Sequence, residues 1–253
     1  MGSEYSTNAR GLTHKGMVRK SNQDAFSSDS DQRTFVVADG MGGHAGGEVA
    51  SNLSIEIIRD DLTQILKNNQ ESPLTNPEMF RLLSDSLNHA STKVYEKALE
   101  EPNLKGMGTT VTMLQILGQN GYYAHVGDSR LYLLRCGYIY QLTSDHSLVS
   151  EQVEAGLLTE EEAEMHQLRN VITRSIGYQE TEYVDTDFFP VRKDDFLLLC
   201  SDGLHGKVSD QEICSQVYQH GVDAVDPLVD LANERGGEDN ITVVIVKARE
   251  KRS

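Results

Sequence analysis

The sequence predicts an α+β fold, a central antiparallel β-sandwich flanked by helix pairs in α-β-β-α layers. Three observations carry that prediction. Short runs rich in β-branched and aromatic residues recur with turn residues between them, as antiparallel strands do. Two long amphipathic stretches interrupt these runs early, and two more precede a last apolar run. So many short strands are buried by two sheets packed face to face with helices outside.

The elements follow in order. Residues 11–26 and 33–38 read as strands around a turn. Residues 47–67, GEVASNLSIEIIRDDLTQILK, place Val49, Leu53, Ile57, Ile58, Leu62, Ile65 and Leu66 at helical spacing. A polar link, NNQESPLTNPE, leads into a second amphipathic helix that ends near Glu101. TTVTMLQIL, GYYAHVG, SRLYLLRCG and YIYQLT are short strands separated by turn residues. Residues 147–180 are polar and read as two short helices with a loop. DDFLLLCSDG is a buried strand that runs into Asp-Gly; helices near 209–219 and 222–235 come next, and NITVVIVKA is the final strand. There is no internal repeat. Residues 1–253 are expected to form one domain, with 1–9 as a flexible N-terminus.

Composition narrows the function. The chain carries 23 basic and 39 acidic residues, a net charge of -16, and no basic patch that would neutralise phosphates, so nucleic acid is not an expected partner. No apolar run is long enough to span a bilayer, and MGSEYSTNARG lacks a signal-peptide core, so a cytoplasmic monomer without a membrane partner is expected. Cys136, Cys200 and Cys214 form no CxxC pair and are odd in number, which suits a reducing compartment.

The stretch FVVADGMGGHAGGE, Phe35 to Glu48, sets an acidic residue at the mouth of a glycine-rich turn. Glycine lets the backbone approach a ligand closely. A phosphate loop would not put an anion at its entrance, whereas a metal site would. Asp39 ends one apolar run and Asp202 another; Asp128 follows YYAHVG and Asp239 precedes NITVVIV. Singly, each reads as an ordinary turn residue. As a set at strand ends, they can share one rim of a sandwich. Two carboxylates about 5 Å apart repel by roughly 3 kcal/mol at an effective dielectric of about 20, so convergence calls for cations. An all-oxygen set favours magnesium or manganese over zinc. Paired ions of that kind can share a carboxylate, hold a water and clamp a phosphoryl oxygen. Arg19, shortly before Asp24, offers a guanidinium that matches phosphate, although a solvated surface charge is the ordinary fate of such a residue.

The segments RKSNQD, VVADGMGGHAGGE, GMGTT, AHVGDSR, LTSDHS, LLLCSDGL and GGEDNITVVIV, in that order from Arg19 to Val246, resemble the metal-dependent serine/threonine protein phosphatases of the 2C family in their bacterial form. The resemblance implies hydrolysis of phosphoserine and phosphothreonine in proteins by metal-activated water at a binuclear or trinuclear magnesium or manganese site. By the same resemblance Asp39 bridges two tight ions, with the Gly40 carbonyl on the second, and Asp202 and Asp239 complete the first. Asp128 shares a weaker third ion with Asp202, Asp24 acts through bound water, and Arg19 holds the substrate phosphate. Residues 147–180 match a mobile flap beside the site. Many family members carry histidine where Met41 stands, which leaves a metal-bound water or His44 as the proton donor. Phosphorylated proteins are the implied substrates, and a cognate serine/threonine kinase is the implied partner.

Three other readings compete. Gly40, Gly42 and Ala45 fit GxGxxA with Asp60 downstream, but Asp39 would face a dinucleotide's pyrophosphate and the βαβ unit is missing. A cysteine phosphatase needs an arginine close behind its nucleophile, and none of the three cysteines has one six residues on. The alternative from another class is an inactive phosphopeptide-binding or scaffolding relative; its mark would be loss of the aspartates, and all of them are present.

Overall fold

The structure, a computed structural model, describes residues 5–43, 45–69 and 74–250. In chain order its elements are β1 (Tyr5–His14), β2 (Asp24–Asp29), β3 (Thr34–Met41), α1 (Gly46–Asn68), α2 (Asn76–Glu100), β4 (Gly108–Thr109), β5 (Val111–Leu117), β6 (Asn120–Val126) and β7 (Arg130–Arg135). Then come β8 (Tyr138–Gln141), α3 (Leu148–Glu154), α4 (Glu160–Glu164), β9 (Asp185–Pro190), β10 (Phe196–Cys200), α5 (Asp202–His205), α6 (Asp210–His220), α7 (Val225–Glu234) and β11 (Ile241–Glu250). Among the described residues no helix is long and apolar enough to cross a membrane.

Two antiparallel sheets face each other. One runs β1-β11-β10-β7-β8 and the other β2-β3-β5-β6-β9, with β4 paired to β3. The central strands are buried on both faces, which is why they read as unbroken apolar runs. Their side chains alternate. Phe35, Val37, Leu197, Leu199, Val244 and Val246 fill the space between the sheets. Val36 and Ala38 turn the other way, onto Ile55, Ile58 and Leu62 of α1 and Leu83 and Leu87 of α2. Leu198, Cys200, Val243 and Ile245 likewise meet Ile213 and Val217 of α6 and Leu228 of α7. These layers are the α+β sandwich the sequence predicts.

Three parts differ from the sequence reading. Tyr5–Ala9 are not a flexible tail: they form the first half of β1, paired with Val246–Glu250 of β11. Residues 1–4 lie outside the described residues. Residues 11–26 are not one strand, because β1 stops at His14 and β2 starts at Asp24, with the polar loop KGMVRKSNQ between them. Finally, DTDFFP forms β9 on the free side of β6 although its sequence is half polar. The last two helices and the two short helices after residue 147 stand where they were expected.

Candidate active site

Strand polarity decides which residues meet. Asp24 at the start of β2 is paired with Asp39 near the end of β3. The end of β10 lies against the starts of β7 and β11, with Cys200 opposite both Arg130 and Val243. The end of β6 lies beside the start of β5, Val126 opposite Val111. The Asp128 turn, Asp202 and Asp239 therefore come to one end of the sandwich. Period-two alternation then puts Asp39 on the same side of β3 as Phe35 and Val37, between the sheets.

Hydrogen bonds confirm the convergence of the two sheets. Asp24 is 6% exposed, and its Oδ2 accepts from the hydroxyl of Ser201, just past the end of β10, at 2.8 Å and from the hydroxyl of Thr242 in β11 at 2.6 Å. The Thr242 N–H donates to Ser201 Oγ at 2.9 Å. Asp39 is held by its main chain: its N–H donates to Thr110 Oγ1 at 2.9 Å, and its carbonyl accepts from Thr110 N–H and Thr109 Oγ1, each at 2.8 Å.

The glycine turn now has a physical reason. A Cβ on Gly40 would lie 2.1 Å from the Gly47 carbonyl oxygen, and one on Gly47 would lie 2.6 Å from the Gly40 carbonyl oxygen. The end of β3 and the start of α1 touch backbone to backbone, which a side chain at either position would prevent. Glu48 in the first turn of α1 suits the positive end of the helix dipole.

The electrostatics are those of crowded carboxylates. Asp39 is pushed well above the carboxylate range, first by burial and then by the charges of Asp24, Asp202, Asp128 and Asp239. Burial also raises Asp24 to about 7, against the hydroxyl hydrogen bonds and with the Asp202 charge. Asp128 rises to about 8 through burial and then Asp202, and Asp202 to about 6 through burial and then Asp239. Asp24 Oδ1 and Asp202 Oδ1 are buried without a hydrogen-bond partner. Such atoms are costly unless something satisfies them. Among the described residues no three His, Cys, Asp or Glu side chains already close into an ion-binding shell. The donor set nevertheless fits hard divalent cations: oxygen atoms, several charges and two orphaned buried oxygens.

Arg19 stands at the rim. Its Nη2 donates to Asp239 Oδ2 at 2.6 Å and its Nε to the Glu238 carbonyl at 3.3 Å, and its side chain is 51% exposed. It is thus at the carboxylate cluster, and its partner is a residue of that cluster. Asp239 Oδ1 accepts from the Asn240 N–H at 2.8 Å. Met41 is half-buried at the end of β3. His44 lies outside the described residues.

Several residues of this end escaped the sequence reading. Asn240 clamps the loop that carries Arg19: its Oδ1 accepts from Gln23 N–H at 2.7 Å, and its Nδ2 donates to the Lys15 and Ser21 carbonyls at 2.9 and 3.0 Å. Thr110, Ser201 and Thr242 hold Asp39 and Asp24 as described. His146 accepts from Gly127 N–H on Nδ1 at 3.0 Å, so Nε2 carries the hydrogen and donates to Asp185 at 3.0 Å. LTSDHS, SDG and DNITV hinted at these roles by their density of polar residues at strand ends. The partners, however, lie far away in the chain.

Comparison with known proteins agrees with this geometry. Residues 2–241 match the protein phosphatase 2C family. Protein phosphatase PhpP of Streptococcus pneumoniae is 38% identical over 245 residues, covering 95% of this chain and 97% of PhpP. The serine/threonine phosphatase PstP/Ppp of Mycobacterium tuberculosis superposes with a TM-score of 0.87 at 34% identity, over 97% of this chain and 100% of that one. The catalytic domain of PstP in complex with two manganese ions superposes with a TM-score of 0.83 at 33% identity, over 97% and 100% of the two chains. With its sequence matched almost end to end and its aspartates gathered where two sheets meet, this chain belongs to the protein phosphatase 2C family and is a protein serine/threonine phosphatase.

Proposed function

We propose that the chain hydrolyses phosphoserine and phosphothreonine in proteins with divalent manganese or magnesium as cofactor. The observation that carries this reading is the charge cluster: Asp39 is surrounded electrostatically by Asp24, Asp128, Asp202 and Asp239, with two buried carboxylate oxygens lacking a partner. In this reading Asp39, the Gly40 carbonyl, Asp202 and Asp239 hold two ions, Asp128 and Asp202 share a weaker third, and Asp24 acts through water. When bound, such ions offset the repulsion, lower the pKa of water and draw charge from phosphoryl oxygens.

The chain's own residues supply the rest. Arg19, exposed at the rim, binds the phosphate with a guanidinium fork. No thiol is placed to attack phosphorus: Cys200 is fully buried and burial pushes its thiol up, Cys136 is exposed in the turn after β7, and Cys214 lies in α6. This leaves no cysteine nucleophile, and in this reading water is the attacking group, with no phosphoenzyme. Its oxygen bonds to phosphorus as it gives up a proton to solvent, the bond from phosphorus to the serine or threonine oxygen breaks, and that oxygen takes a proton from His44 or from water. Residues 147–180 form a flap whose start is tied to residues 171–173, Leu148 N–H to the Val171 carbonyl and Thr173 N–H to the His146 carbonyl, while the Gln179 and Glu180 carbonyls accept from the Ser91 and Thr92 hydroxyls of α2. The substrate must come from a serine/threonine kinase, the reaction class that makes such esters. All three cysteines are free, which fits the reducing cytoplasm.

The test is dephosphorylation of a phosphothreonine peptide in manganese and in chelator. Turnover is expected in the first and not in the second. Full activity in chelator, or none in manganese, would sink the reading.

A further inference from the structure

His205 ends the short helix α5 that Asp202 begins. Its Nε2 lies 3.0 Å from the Asp128 carbonyl oxygen. A carbonyl only accepts, so Nε2 carries the hydrogen and the ring is held in that tautomer. The other bonds of the Asp128 turn lead elsewhere. Gly127 exchanges bonds with His146, at 3.0 Å to Nδ1 and 2.7 Å from the His146 N–H. Ser129 meets the Thr110 hydroxyl at 2.7 Å and accepts from the Thr112 hydroxyl at 2.9 Å on its carbonyl. Among the described residues, His205 is the side chain that ties this turn to α5.

That tie joins two elements whose carboxylates repel. Asp128 and Asp202 are close enough for the charge of one to act on the other. They sit on separate pieces of chain, a turn after β6 and the first residue of α5. Repulsion between them favours separation, and the hydrogen bond from the His205 side chain on α5 to the Asp128 carbonyl opposes it. We propose that His205 is a positioning residue that sets the spacing of Asp128 and Asp202, and through it the affinity for the cation those two carboxylates share. The inference rests on the metal-dependent reading above.

Two variants separate the bond from the bulk. His205→Gln keeps an N–H donor at the place of Nε2, and His205→Leu fills similar space without one. Manganese titration by calorimetry gives the weak-site constant, melting in manganese reports the tight sites, and the manganese dependence of kcat and KM is read on one phosphopeptide. For His205→Leu the weak-site Kd and the manganese needed for half-maximal kcat should rise roughly 3- to 10-fold, the scale of one lost hydrogen bond. KM and the tight-site stoichiometry should stay as in the wild type, and His205→Gln should stay within about 2-fold of it. A weak-site constant in His205→Leu within about 2-fold of wild type overturns the proposal, as does a His205→Gln as impaired as the leucine variant. If His205→Leu is unfolded, His205→Asn, whose shorter donor cannot reach the carbonyl, is read against the same limits. A wild-type chain that takes up no manganese overturns the metal-dependent reading, and this inference with it; that outcome is read on the wild type alone.

Discussion

The two ends of β10 treat enclosed aspartate in opposite ways. Just before the strand, Asp195, with a side chain 2% exposed, accepts from Arg135 Nε at 2.8 Å and Nη2 at 2.7 Å, and from Arg192 N–H at 2.7 Å. Just after it, Asp202 keeps a buried oxygen with no partner and neighbours Asp39 and Asp239. Asp145 shows that proximity to the cluster is not what matters. Burial works to raise it, but hydrogen bonds from Arg130 outweigh that and hold it below the ordinary carboxylate range. Asp128, close enough to feel Asp145, is pushed up instead. Burial alone therefore does not mark a site. A carboxylate paired with an enclosed guanidinium supports the fold, whereas in the cluster, among the described residues, only Asp239, at the rim, meets a guanidinium, that of Arg19, and the buried oxygens of Asp24 and Asp202 stay without a partner, as the metal-dependent reading requires.

The largest expected effect breaks the unpaired end. Asp39→Asn or Asp202→Asn should lower kcat on the order of 100- to 1,000-fold, the scale for losing one preorganised charge-stabilising group. The fold should persist, with a Tm in chelator no lower than the wild type's, because one of several repelling charges is gone. Near-normal turnover would place the ligands elsewhere.

Next comes the paired end. Asp195→Asn leaves Arg135 enclosed without its counter-charge, which should cost about 3 kcal/mol. For a chain of this size that lowers Tm by roughly 6–12 °C. Below the melting range, kcat should be unchanged. A loss of turnover without a loss of stability would erase the distinction between the two ends.

Arg19 sharpens the contrast, because it is the guanidinium that touches the cluster, at Asp239 on its rim. Arg19→Ala should raise KM for a phosphopeptide by about 10- to 150-fold, the value of one charge-assisted hydrogen bond. If the contact is equal in ground and transition states, kcat will hold. Unchanged KM and kcat would return Arg19 to the role of a surface charge.

The smallest effect is in the pH dependence of stability. Asp39 and Asp128 have folded pKa values above their unfolded values, Asp128 at about 8. The folded chain then binds more protons than the unfolded chain, so stability falls as pH rises. His125 and His205 are lowered by burial to about 4 and about 3, and they act in the opposite sense only below their unfolded value near 6.5. The clean window is thus pH 6.5 to 8. In chelator Tm should fall across it by roughly 2–5 °C. In manganese the fall should vanish, because the ionised carboxylates are then the ones that bind. A flat profile in chelator would mean that these aspartates are not crowded.

The sequence by itself determined the layers and the candidate carboxylates. Helices α1 and α2 were legible because their apolar faces recur at helical spacing. Strands β5, β6, β10 and β11 were legible because they are buried on both faces and so are continuous apolar runs. Asp39, Asp128, Asp202 and Asp239 stood out as charges at the ends of such runs. Tertiary structure alone decided the edges and the partners. Half-exposed β1 and half-polar β9 carry weak patterns of their own; they are strands because β11 and β6 offer them open edges, β11 from the far end of the chain. Asn240 on the Arg19 loop, Ser201 and Thr242 on Asp24, and His205 on the Asp128 turn all join residues distant in sequence. Periodicity reports which face a side chain takes within its own element. Which distant element meets that face, and hence which aspartates find an arginine and which do not, is settled only when the two sheets pack.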